Sequence, residues 1–394
     1  MLLTIPELNI YVYTVTNSKI QLIGEINNAS TVDYFKRFVG YGNFEMYVPY
    51  NDENVEYCRV NNMLCIGSTG RYCYFITSIQ PQKDDNGFIK IKVSGKGLEH
   101  LLYYRMLYTT FKYQDVPLSD IMYHLVETNF IDVSTGYERR IMPHLELYED
   151  AYQQDIGPIL TIQRTGKSVK DRLDDLCEDY NVGYEIYFDV VRNKFIFKVL
   201  EHRDMTYDSQ QNVPVIFDTE TDDILSSTYT YSVESERNMA LVVGESQESN
   251  QQNVMIRAKI VVGDDTLTGY DRKELYIDAR DLQSESENES GSLEEMSEEE
   301  YNELLFERGT KKLSENAIVQ SFDTDIRYYG SQYRYDVDYM VGDMVTIIDR
   351  DMGVIVNAYI SEVEQVFSDD YELRLTIGTG VPTLYSKIKS MLQD

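Results

Sequence analysis

The chain has no tryptophan and, among 394 residues, only four cysteines, four histidines and eight prolines. Positive charge is also scarce. Lys and Arg number 36 against 67 Asp and Glu, a formal net charge of -31. That balance argues against a clamp for DNA or RNA, whose affinity comes from cations neutralising phosphates. It equally disfavours docking on an anionic membrane. No run of 18 apolar residues occurs, so no membrane-spanning helix and no membrane anchor are expected. The opening Met1 to Glu7 lacks a basic segment followed by a long apolar one, so no signal peptide is read there. Cys58, Cys65, Cys73 and Cys177 fit neither a CxxC zinc site nor a redox motif. They are expected to be small buried hydrophobes of a protein made in a reducing cytosol.

The chain is rich in tyrosine, with 34, and 42% of it is hydrophobic. Tyrosine favours strands, so much β structure is expected, and the length suggests two to four domains. Residues 1–104 read as a first β-barrel. Asp84-Asp85-Asn86-Gly87 sits between arms Arg71 to Ile79 and Phe88 to Val93, a hairpin signal. Ile89, Ile91 and Val93 alternate with Lys90 and Lys92, which sets one face inward and one in water.

Residues 105–212 read as a small α+β insert. Leu118, Ile121, Met122, Leu125 and Val126 recur at helical spacing after Pro117. Ser168 opens a second helix that ends near Asn181-Val182-Gly183, and two strands follow across Arg192-Asn193. Residues 213–394 read as a second barrel, with strands beginning at Val213, Ser226, Asn238, Val254, Leu275, Ala317, Met344, Val354 and Tyr371. Gln283 to Glu300 interrupts it with eight glutamates and no basic residue, a solvated loop leading into an acidic helix over Ser297 to Leu313. Pro382 opens a C-terminal helix. The fold expected is mainly β, two barrels with an α+β insert. A weak internal repeat relates the barrels. Met63 to Ile66, Tyr74 to Ile79 and Phe88 to Val93 end in Gly95-Lys96-Gly97. Met344 to Ile347, Ala358 to Val363 and Tyr371 to Ile377 end in Gly378-Thr379-Gly380. The apolar phase of the last strand differs by one residue between the copies, which requires a bulge or slip.

Signals for chemistry are thin. Gly166-Lys167-Ser168 opens a helix, but Thr161 stands where a phosphate loop needs its first glycine. Gly40-Tyr41-Gly42 and Gly95-Lys96-Gly97 lack the third glycine of a dinucleotide fingerprint and read as turns and bulges. His100, His124, His144 and His202 form no HExxH or HxH pair, and His144-Leu145-Glu146 has no PCxxC after it. No serine lies in GxSxG. No residue is assigned a catalytic, cofactor-binding or metal-binding role.

Several segments together resemble the hub proteins of phage tail tips and baseplates, in particular those of siphophages. They are Tyr34 to Phe38 with Gly42 to Pro49, Val93 to Leu102 closing at Arg105, and Asp171 to Tyr187. Later come Asn238 to Glu245, and Gly269 to Leu282 with Arg272, Glu274 and Asp278-Ala279-Arg280. Arg308 to Glu315 and Gly342 to Val345 complete the set. The resemblance runs over nearly the whole chain and departs from the family at Gln283 to Glu300. It implies two tube-like barrels and a non-enzymatic trimer at the distal end of the virion tail, made in the host cytoplasm. The implied partners are tail tube protein, distal tail protein, tape measure protein and fibre or tip proteins, with DNA passing through the lumen during ejection. Two alternatives remain open, a tail-associated cell-wall hydrolase and a Tyr-rich carbohydrate-binding adhesin.

Overall fold

The computed structural model describes residues 8–83, 85–108, 111–164, 166–221, 224–248, 255–282, 285–287, 293–295, 297–314, 316, 318–326, 332–368 and 370–378. The expected helix after Pro382 lies outside the described residues. Chain contacts divide the protein into two units. One comprises Met1–Tyr229 and Ser321–Asp394, the other Thr230–Gln320.

The first unit begins with β1 (Ile10–Val15), β2 (Ile20–Ile26), β3 (Thr31–Arg37), β4 (Asn43–Pro49), α1 (Asp52–Tyr57), β5 (Met63–Ile66), β6 (Tyr72–Lys83) and β7 (Ile89–Gly97). Alternation decides their faces. Val32, Tyr34, Phe44, Met46, Val48, Ile91 and Val93 are buried, and their sequence neighbours lie at least partly in water. Ile89, beside the turn of the β6–β7 hairpin, is exposed instead.

The insert follows as a 3-10 segment (Leu98–Tyr104), β8 (Phe111–Pro117), α2 (Leu118–Val126), β9 (Leu145–Leu147), β10 (Ile159–Arg164), α3 (Val169–Tyr180), β11 (Gly183–Asp189) and β12 (Lys194–Leu200). The apolar stripe of α2 is fully buried. Ser168 caps α3 by accepting from the Asp171 N–H at 3.0 Å, and Asn181 ends it at φ 56°. Both helices share a core with Tyr13, Met63, Cys65 and Cys73 from the β1–β7 region.

Next in the chain are β13 (Asp204–Met205), β14 (Ile216–Asp218) and β15 (Ile224–Ser232). The second unit holds β16 (Met239–Glu248), β17 (Met255–Gly263), β18 (Glu274–Asp278), β19 (Glu285–Glu287), β20 (Leu293–Glu295) and α4 (Glu298–Ser314). A three-stranded sheet β17-β16-β18 packs its apolar residues on Tyr301, Leu304 and Leu305 of α4. A capping box starts that helix: Ser297 Oγ accepts from the Glu300 N–H, and Glu300 Oε2 accepts from the Ser297 N–H. The stretch expected to be a solvated loop contains an antiparallel pair, β19 with β20.

The chain returns to the first unit with β21 (Val319–Ile326), β22 (Met344–Asp349), β23 (Val354–Phe367) and β24 (Tyr371–Gly378). Of the strands expected in two barrels, β16, β17 and β18 keep to their own sheet, and the others join one sheet whose path is β15-β21-β24-β23-β3-β4-β7-β6-β5-β1-β2. The join is the antiparallel pair β3–β23, Arg37 opposite Glu362 through Val32 opposite Phe367. No barrel closes among the described residues. Both halves contain a three-strand meander, β5-β6-β7 and β22-β23-β24. Each meander carries one bulge in its middle strand, at Thr77 between Ile76 and Ser78, and at Ser361 between Ile360 and Glu362.

One cysteine expectation is corrected. Cys65 and Cys73 stand directly opposite each other on β5 and β6 and form a disulfide. The short β5–β6 hairpin sets their Cα atoms 4.1 Å apart, a cross-strand register that residue spacing alone does not disclose. Cys58 and Cys177 are buried free thiols, and burial pushes Cys58 up to about 12.

Candidate functional site

The β3–β23 seam concentrates the charged structure of the first unit. Arg37 pairs with Glu362 across it and donates to the Tyr41 carbonyl at 3.1 Å. The Phe38 N–H donates to the Ser361 carbonyl at 3.0 Å. Behind the seam lies a buried ion network. Lys36 Nζ is 3.0 Å from Glu99 and 3.4 Å from Glu185, and Arg71 is 3.4 Å from Glu185 and 3.7 Å from Asp336. The Tyr72 hydroxyl donates to Asp336. Burial opposes the charge on Lys36, but Glu99 and Glu185 outweigh it and hold the ammonium above its usual range. Burial likewise pushes the Glu185 carboxyl up, and Lys36 and Arg71 bring it below its usual range. The network ties β3, β6, β11, the 3-10 segment and the loop before β22 into one body.

On the sheet's other side of the seam, Asp33 is pushed up to about 7, first by burial and then by the neighbouring Glu364. Deeper in, His202 lies between the rings of Phe38 and Tyr359, with centroids 4.2 and 3.8 Å away. Burial lowers its pKa, and the Gly342 carbonyl beside Nδ1 fixes the neutral ring with its proton there. Arg37, Phe38, His202, Tyr359 and Glu362 line a cavity of about 520 Å³.

The other sequence candidates are dispersed. Lys167 pairs with Asp175 at 2.8 Å, so the helix start at Gly166-Lys167-Ser168 keeps its cation on its own carboxylate. His144 Nε2 is 2.9 Å from the Thr16 carbonyl, His124 contacts the Tyr113 hydroxyl, and Glu146 pairs with Arg192 and Lys194. Gly42 and Gly95 are places of close approach. A Cβ would lie 1.9 Å from the Phe35 carbonyl oxygen at Gly42, and 2.1 Å from that of Phe75 at Gly95. Among the described residues no three His, Cys, Asp or Glu side chains gather as a metal site.

Sequence reading missed an exposed aromatic and basic face. Tyr103, Tyr104, Met106, Tyr108 and Tyr137 are each more than half exposed. His100 stacks on Tyr103 at 5.8 Å and meets Tyr104 and Tyr41 edge-on. Tyr108 meets Tyr137 edge-on at 5.8 Å, and the Arg140 guanidinium lies 4.0 Å from the Tyr108 ring centre. Burial, then Lys96 and Lys170, lowers His100 to about 4, so it is a neutral ring at pH 7. The run Tyr103-Tyr104-Arg105-Met106 followed by Tyr108 was the available signal, hidden because aromatic residues also mark strands.

Three solved structures share the fold. One is a 43 kDa tail protein of prophage MuSo2 from Shewanella oneidensis, 12% identical, covering 94% of this chain and 98% of that one, TM-score 0.54. The tail protein from Neisseria meningitidis MC58 is 11% identical over 94% and 96%, TM-score 0.54. Prophage tail protein gp18 from Listeria monocytogenes EGD-e is 10% identical over 98% of both chains, TM-score 0.51. No curated protein matches. A family model described as siphovirus ReqiPepy6 Gp37-like protein matches residues 9–379. The chain therefore belongs to the siphovirus ReqiPepy6 Gp37-like family.

Proposed function

We propose that this protein is a trimeric hub that caps the distal end of the tail tube, joins it to tip or fibre proteins, and surrounds the path of DNA ejection. It performs no catalysis. The observation that carries the reading is the matched pair of meanders. Counting from the bulges at Thr77 and Ser361, Gly95 corresponds to Ile377, Val93 to Leu375 and Ile91 to Leu373. That register restores the apolar phase, so the slip suspected from the glycine motifs vanishes. The flanking strands correspond too. β4 pairs with β7 as β21 pairs with β24, and Phe44 opposite Gly95 matches Phe322 opposite Ile377. One chain thus carries two tube-like units, residues 1–104 and the β-rich part of 213–394, with the 105–212 insert between them. Three chains present six such units. A ring of that kind meets a six-membered tube by heterologous contacts that close on themselves.

The acidic composition suits a channel, because a wall of like charge holds few phosphates. Mass measurement of the purified protein, alone and with its tail tube protein, tests the assignment. A trimer with a six-lobed rim in electron microscopy is expected. A hexamer, or a chain that stays monomeric beside its tube protein, would count against it.

A further inference from the structure

The exposed aromatic and basic face has the composition of a protein interface, in which Tyr, Met and Arg are enriched. It also carries cations that the rest of this acidic chain leaves unmatched. Among the described residues, Lys96, Arg105, Arg139 and Arg140 pair with no carboxylate. Arg105 and Arg140 are instead held in place by backbone. Arg105 Nε donates to the Arg140 carbonyl at 2.8 Å, and Arg140 Nη2 donates to the Met106 carbonyl at 2.7 Å. Burial and then the nearby Arg140 lower the Arg105 pKa, as expected where two cations share a site. The nearby carboxylates are already engaged: Glu138 accepts from the Gly136 N–H, Asp174 pairs with Lys170, and Asp175 pairs with Lys167.

The same chain holds a segment with the opposite imbalance. Gln283 to Glu300 has eight glutamates, no Lys or Arg, and Leu293 and Met296 as apolar company. The β19–β20 register sets position 285 opposite 295, and both are glutamate. Like charges at directly opposed positions destabilise a strand pair unless a cation intervenes.

We propose that the aromatic and basic face of one copy receives the acidic segment, residues 283–300, of a second copy, and that this contact holds neighbouring subunits of the hub together. The inference rests on the hub reading. A short acidic segment suits this surface better than a long polyanion. Charges beyond a Debye length of about 8 Å at physiological salt are screened, so such a segment feels mainly the cations beneath it.

The test is a charge swap in the full-length protein, read by sedimentation equilibrium at two salt concentrations. Lys96→Glu with Arg139→Glu, and separately Glu294→Lys with Glu295→Lys, should each weaken self-association by about tenfold. All four changes together should restore it to within about threefold, and added salt should weaken the wild type. Should the patch variant fold poorly, the variant of the acidic segment alone decides, because it alters residues of the other unit. Association unchanged by either set, or no rescue by the combination, overturns the proposal and leaves a trimeric hub standing. A wild-type chain that never associates overturns both. A single-stranded DNA oligonucleotide or a cell-wall glycan that binds the wild type and is lost with Lys96→Glu and Arg139→Glu, without any change in association, reassigns the face and also overturns it.

Discussion

Thr77 and Ser361 make the same contact in two different hairpins. Each is the extra residue of a bulge, and each donates its hydroxyl to the carbonyl across the hairpin, Thr77 to Ser94 at 3.4 Å and Ser361 to Thr376 at 2.9 Å. A bulge bends a strand and increases its twist locally. Equal placement in β6 and β23 therefore gives the two meanders the same curvature. They differ in what lies beside them: β23 is covered past its bulge by β3, whereas β6 has no second neighbour past Ile76 among the described residues.

That open edge should be kept from misassembling by Pro81. Gly97 and Ile89 of β7 bond toward β4, so the alternate residues face β6, and Pro81 turns its missing N–H outward. Pro81→Thr should supply the donor and promote edge-to-edge association. Light scattering at rising concentration should show larger species than the wild type forms.

Gly95→Ala should be strongly destabilising. The new methyl would sit 2.1 Å from the Phe75 carbonyl oxygen and 2.5 Å from the Phe44 ring. Overpacking of this kind costs about 1–3 kcal/mol or more, because a backbone atom must give way. Urea denaturation should show a lower midpoint with an unchanged slope.

Lys36→Met should cost about 3–5 kcal/mol, since it strands Glu99 and weakens the balance around buried Glu185. Adding Glu99→Gln should recover part of that loss by removing the stranded charge. A double-mutant cycle in urea measures the coupling.

Asp33 should make the protein less stable as pH rises from about 4 to 7. Its carboxyl is pushed up to about 7 in the folded chain and lies near ~3.9 when unfolded. In that window the folded state binds the extra proton, so the stabilisation present below the lower value is lost through the upper one. Asp33→Asn should flatten this slope and raise stability at pH 8, by ~1 kcal/mol or less because the group is partly solvated. Thermal unfolding from pH 4.5 to 8.5 checks the sign.

Local signals were legible in the sequence because neighbouring residues generate them. Asp84 to Gly87 marked the β6–β7 hairpin, the stripe from Leu118 to Val126 marked α2, and Ser168 and Asn181 marked the ends of α3. The order of motifs along the chain was enough to suggest its family. Tertiary structure decided what depends on residues distant in the chain. Arg37 meets Glu362 across 325 positions, and no period or spacing announces that β3 joins β23. The same holds for Lys36 finding Glu99 and Glu185, and for Tyr41 meeting the His100 ring that stacks on Tyr103. Hairpins and caps are settled by dihedral preference and short-range hydrogen bonds. Strand neighbours and buried ion pairs are settled by which apolar faces must be covered together, a condition on the whole fold that residues separated along the chain satisfy only once it has formed.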